Sequence, residues 1–111
     1  SLQRPGPVMK SVTINNTKYF FKKLTWLDIV GDSSIAGEND YHNMKCAEII
    51  TEAYIYDIFE EDGREFVRTF ASYQTKNNEF GFGDRNCYPI EVFDKRSQKA
   101  IREAQRLTLR G

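Results

Sequence analysis

Two long runs of strand-forming residues, Ala47–Phe59 and Glu65–Tyr73, meet at the acidic turn Glu61-Asp62-Gly63, and no other stretch constrains the fold as much. Ile49, Ala53 and Tyr56 also fall three or four apart, which would suit a helix. Ile, Tyr and Thr dominate the run, however, and a Gly-containing turn followed by a second β-run makes a hairpin the consistent solution. In the second run Phe66, Arg68 and Phe70 alternate against Val67, Thr69 and Ala71, the period of a pleated strand.

Upstream, Val12–Asn15 and Lys18–Lys22 flank Asn15-Asn16-Thr17, where Asn tolerates the positive φ of a tight turn. Leu24–Val30 reads as a third strand, with Leu24, Trp26 and Asp28 on one face and Leu27 and Ile29 on the other. Two long polar loops follow the pattern of mobile or functional connections: Gly31–Lys45 and Gln74–Asn86. Between the second loop and the end lies Cys87–Phe93, a strand that Pro89 confines to an edge or a strand start. Asp94 suits the N-cap of a last helix, Lys95 to about Leu107, whose apolar stripe is Ala100, Ile101, Ala104 and Leu107. Residues 1–8 read as a cloning remnant or flexible arm before a start at Met9, and residues 9–111 as one small domain. The expected fold is α+β: an antiparallel sheet of five or six strands, or a partly open β-barrel, with one C-terminal α-helix.

At 111 residues, with 40% apolar and 14% aromatic content, the chain can fill one core and no second. Its formal net charge of zero gives no global attraction to nucleic acid or membrane, so nucleic-acid binding ranks last among the partners. The charge is unevenly placed. Residues 28–65 hold eleven Asp/Glu against Lys45 and Arg64, and residues 94–111 hold six Lys/Arg against Asp94 and Glu103. Such asymmetry fits charge pairing within the chain or head-to-tail between copies as well as a ligand site, and a homo-oligomer is expected. Two cysteines and no signal peptide point to a reducing, cytoplasmic setting. No apolar run approaches the length of a membrane span.

For chemistry, two features stand out. Lys95, Lys99, Arg102, Arg106 and Arg110 fall on one ridge of the last helix, either a solvated face or a grip for phosphate. In the loop Glu79-Phe80-Gly81-Phe82-Gly83-Asp84-Arg85-Asn86, the aromatic rings could stack on a base and the glycines let backbone approach a ligand; alternatively it is a long hairpin loop whose Phe residues cover the core. The spacing is not a dinucleotide fingerprint, since the third glycine is missing and a strand follows. Together these features nominate a pocket between loop and helix that holds a small anionic, nucleotide-like ligand through Phe80, Phe82, Arg85, Asn86, Arg102 and Arg106. His42, Cys46 and Cys87 lack the spacing of a zinc site, and Cys46 and Cys87 read as small packed groups. Asp28, Asp32, Glu38 and Asp40 match no calcium loop. No nucleophile–base pair is visible, so neither an enzyme nor a cofactor or metal is expected. The alternative is a protein–protein inhibitor that presents residues 28–65 to a host protein as an acidic nucleic-acid mimic.

Trp26-Leu27-Asp28, Glu38, Ala47, Thr51-Glu52-Ala53-Tyr54, Glu60-Glu61-Asp62, Ala71-Ser72 and Tyr88-Pro89-Ile90 occur in an order that resembles small β-rich proteins of tailed phages and prophages. The likeness covers about residues 24–93, with Ala53 where that pattern carries glycine. With the loop at 74–86 and the basic helix added, the chain is similar to phage counter-defence sponges of the anti-Thoeris kind. This resemblance implies sequestration of a cyclic ADP-ribose-type signal at a subunit interface, and it fixes no site residue.

Overall fold

Four residues at two turns set the course of the chain. Asn15, Asn16, Asp62 and Gly63 all have positive φ, at 49°, 67°, 52° and 77°, the region two-residue hairpin turns require and Asn, Asp and Gly reach at low cost. In the computed structural model, which describes residues 9–111, the first turn joins β1 (Ser11–Ile14) to β2 (Thr17–Asp28). The second joins β3 (Ala47–Glu61) to β4 (Arg64–Phe70). Between β2 and β3 lies the short helix α1 (Glu38–His42). After β4 come β5 (Ser72–Gln74), β6 (Gly81–Gly83), β7 (Asn86–Pro89) and the helix α2 (Lys95–Arg110).

The main sheet is antiparallel, in the order β1-β2-β3-β4-β7, while β5 and β6 form a separate two-stranded hairpin. The fold is α+β with an open sheet; it is not a closed barrel. One sheet face is covered by α2, which packs Ile101 and Ala104 against Phe20, Leu24, Ile55 and Val67. The opposite face carries Ile14, Tyr19, Tyr54 and Phe70, with Phe82 of β6 packed on them. The three central strands β2, β3 and β4 therefore supply both cores, one from each face.

The N-terminus of α2 is tied to the sheet. Asp94 accepts a hydrogen bond from the Ser97 backbone N–H at 2.7 Å, the N-cap the sequence called for. The Asp94 N–H donates to the Thr25 carbonyl at 3.1 Å. Lys22 of β2 and Glu103 of α2 add a 2.9 Å ion pair one helical stretch further on.

Several boundaries differ from expectation. Lys18–Lys22 and Leu24–Val30 form one strand, because Lys23 brings no turn residue to part them; the strand stops at Asp28. The second long run leaves the sheet at Phe70, and Ser72–Gln74 turns away to pair with Gly81–Gly83 inside the stretch expected as a loop. Asn77 and Asn78 (φ 58° and 59°) make that hairpin's bend. Only Asn86–Pro89 of the last run is a strand; after Pro89, which lacks an N–H, Ile90–Val92 is a 3-10 turn. The first polar loop contains α1. Cys46 and Cys87 are exposed free thiols rather than packed groups. The reading of residues 1–8 lies outside the described residues.

Candidate functional site

A bulge in β3 shapes the site. Ile55 pairs with Thr69 and Asp57 with Arg68, so Tyr56 is an extra residue on β3. Inserting one residue into a strand re-aims its neighbours. Tyr56 and Asp57 consequently both serve the face covered by β6: Tyr56 stacks on Tyr19 at 5.6 Å between centroids and meets Phe82 edge-on at 5.1 Å. Asp57 accepts two hydrogen bonds from Arg68, one from Nε at 2.7 Å and one from Nη2. The guanidinium also lies over the Phe59 ring, 4.4 Å from its centroid, and 5.9 Å from that of Tyr56. The Asp57 hydrogen bond raises the Arg68 pKa above its ordinary value, keeping the cation charged.

Where β4 ends, the hairpin β5–β6 folds back, held by an Ala71 N–H to Gly83 carbonyl bond of 3.2 Å. Phe82 anchors it, with ring centroids 4.9 Å from Phe70 and 5.8 Å from Tyr19. Asp84 then takes positive φ (50°) and directs the chain into β7. The result is an open concavity of about 980 Å³ lined by Tyr56, the β4 residues Arg68, Thr69 and Phe70, and the stretch from Phe80 to Cys87. Phe80 is exposed at its rim, and Arg85 forms no salt bridge among the described residues.

Four of the six nominated residues, Phe80, Phe82, Arg85 and Asn86, therefore line one concavity. Arg102 and Arg106 do not join them. They belong to α2, which covers the other sheet face, so the expected pocket between loop and helix is not formed. Arg102 is paired bidentately with Glu65 at 2.9 and 3.1 Å, and it holds the Glu65 carboxyl below the usual carboxylate range. Arg106 lines a separate shallow groove with Lys95, Gln98, Lys99, Arg102 and Glu103. Phe82 is half-buried and acts as part of the second core more than as a free stacking surface.

The residue sequence reasoning missed is Arg68. Counting outward from the Asp62-Gly63 turn places Asp57 opposite it, a signal available in the sequence. His42, Cys46 and Cys87 do not assemble, and no group of three metal-ligating side chains occurs among the described residues. The acids of residues 28–65 do not form one face either. Asp32, Glu38 and Asp40 lie beyond one end of the β2–β3 ladder and Glu60, Glu61 and Asp62 at the other end of β3, a strand of 15 residues that spans roughly 46 Å at about 3.3 Å per residue. No helix of the described chain is long and apolar enough to cross a membrane. Compared with models of known families, with curated proteins and with solved structures, the chain gives no match in any of the three.

Proposed function

We propose that this chain is a non-catalytic binding protein for a small phosphorylated ligand with a flat ring, a nucleotide in chemical class, held in the concavity beside β4. The observation that carries the reading is Arg68 on the concavity's wall, held in place by its hydrogen bonds to Asp57. Asp57 and the ring of Phe59 fix the guanidinium, and the pair with Asp57 leaves the Nη1 side of the fork to donate to a phosphate. Arg85 supplies a second cation from the same lining, Phe80 an exposed ring for a base, and Asn86 a donor and acceptor for a ribose or base edge. The phosphate contacts expected of Arg102 and Arg106 pass to Arg68 and Arg85. A ligand held and not converted is withdrawn from solution, the counter-defence role that the resemblance to phage sponges implies.

The test is incubation of the purified chain with a panel of linear and cyclic nucleotides, followed by heat release and chromatography. Recovery of an unmodified nucleotide from the wild type, and its loss from Arg68→Ala, is the expected result. A converted product would make the chain an enzyme. Retention of no nucleotide would overturn the reading and favour the protein–protein inhibitor.

A further inference from the structure

Residues 29–46 all lie exposed, in a projection that leaves the sheet after β2 and returns to it at β3. A small single domain rarely exposes several large apolar side chains close together without a partner for them. Ile29, Ile35 and Tyr41 are 87%, 103% and 71% exposed, and Leu27 and Ile50 at the projection's base are 53% and 58% exposed. A Cβ added at Gly31 or Gly37 would meet nothing within 4 Å. The radius of gyration, 18.0 Å, exceeds the roughly 13 Å of a compact chain near this length. The projection is shaped, however: it encloses a concavity of about 530 Å³ whose lining includes Asp32, Glu38, Asp40, Tyr41 and Met44.

The complementary surface is on the same chain but faces elsewhere. Along α2 runs a groove of about 540 Å³ lined by Lys95, Lys99, Arg102 and Arg106, with Gln98 and Glu103. Lys95, Lys99 and Arg106 make no salt bridge among the described residues. Their aliphatic stems offer apolar cover beside the charges. Projection and groove start next to each other, because Ser97 at the start of α2 is bonded to Thr25, shortly before the projection departs. Two adjacent, mutually complementary surfaces that do not meet within one chain are what a two-fold axis between them joins.

We propose that the projection is a dimer strap, its partner a second copy of this chain. Each copy lays residues 29–46 along the other's α2, with Asp32, Glu38 and Asp40 facing Lys95, Lys99 and Arg106, and with Ile35 and Tyr41 covered against the stems. Acidic and basic patches this close also repel a projection-to-projection pairing, where acids would oppose acids.

The experiment is light scattering of the full chain at tens of micromolar. The expected mass is twice the 12.9 kDa of one chain; a single-chain mass overturns the proposal and points to a partner of different sequence. Ile35→Asp with Tyr41→Asp should give the single-chain mass with an unchanged circular dichroism spectrum, since both side chains are mostly exposed within their own chain. Glu38→Lys with Asp40→Lys should separate the copies, as should Lys99→Glu with Arg106→Glu. All four changes in one chain should restore the dimer, because the charges again oppose. A dimer indifferent to both reversals, or one the combined reversal fails to restore, rules out the strap-on-helix arrangement. Nucleotide retention is measured on the same variants and is expected to persist, so this result stands or falls separately from the proposed ligand site.

Discussion

The Thr25 backbone N–H donates to the Ser97 hydroxyl at 2.8 Å, across 72 positions of sequence. With the Asp94 N–H returning to the Thr25 carbonyl, one residue of β2 has both backbone groups satisfied by the start of α2. Here β1 no longer accompanies β2, whose ladder with it ends at Phe20. The helix start thus replaces a missing strand.

Ser97→Ala is expected to lose about 1–3 kcal/mol, because it leaves the part-buried Thr25 donor without its partner. Urea unfolding measures this, and nucleotide retention should be unaffected since Ser97 lies on the face away from the concavity. A loss below the error of the measurement would show that the bond contributes nothing net.

Thr69 presents the opposite case. Its side chain is 2% exposed, and its hydroxyl has no hydrogen-bond partner among the described residues. Thr69→Val keeps the shape and removes an uncompensated polar group, so it should raise stability by about 1 kcal/mol. Thermal and urea unfolding of the two proteins side by side provide the comparison.

In the ligand site, Arg68→Ala should weaken nucleotide retention by one to two orders of magnitude, the value of one charge-assisted contact of about 1.5–3 kcal/mol. Asp57→Asn should weaken it less, by freeing the guanidinium's orientation while leaving its charge. Arg102→Ala, in contrast, should leave retention within twofold. Equilibrium dialysis against the nucleotide recovered from the wild type checks the order of the three.

Acid should destabilise the fold in a defined direction. Hydrogen bonding and charge from Arg102 lower the Glu65 pKa, the Lys22 pair lowers that of Glu103, and the N-cap bonds to Ser97 lower that of Asp94. These groups bind protons more weakly folded than unfolded. Their contribution is therefore complete above the ordinary carboxylate values, about 4.5 for Glu and 3.8 for Asp, and is lost as pH falls through the lowered ones. All three are surface groups, so added salt should shrink the effect. Melting temperature followed from pH 7 downward at two salt concentrations should show it.

The sequence disclosed the parts of the fold that turn residues control. Asn15-Asn16 and Asp62-Gly63 announce their hairpins because few other residues accept positive φ, and Asp94 announces α2 because an acid before a helix-forming run suits the N-cap. The separation drawn between Lys18–Lys22 and Leu24–Val30 does not exist. Nothing local marks where two strand-forming stretches are one. The site was half legible for a different reason. Phe80 to Asn86 and the basic ridge were each recognisable, but a sheet has two faces. Which of them the β5–β6 hairpin covers depends on Phe82 finding Tyr19 and Phe70, residues distant in sequence. The bulge hid in plain alternation: Ile55-Tyr56-Asp57-Ile58 reads like an ordinary strand, and only the pairing with Thr69 and Arg68 shows the extra residue.

The order of strands has a consequence for how the chain acquires its structure. β1–β2, β2–β3 and β3–β4 join neighbours in sequence, so each can form soon after its residues are available, the two tight turns first. The helix is different. Sixteen residues are marginal as an isolated helix in water, so α2 gains its order by docking, and the Ile55 and Val67 face stays wet until residues 95–110 arrive. The slowest native contacts should then be those between α2 and β2, and a chain interrupted before Ile101 should hold hairpins around an uncovered apolar face, a species prone to associate through that face.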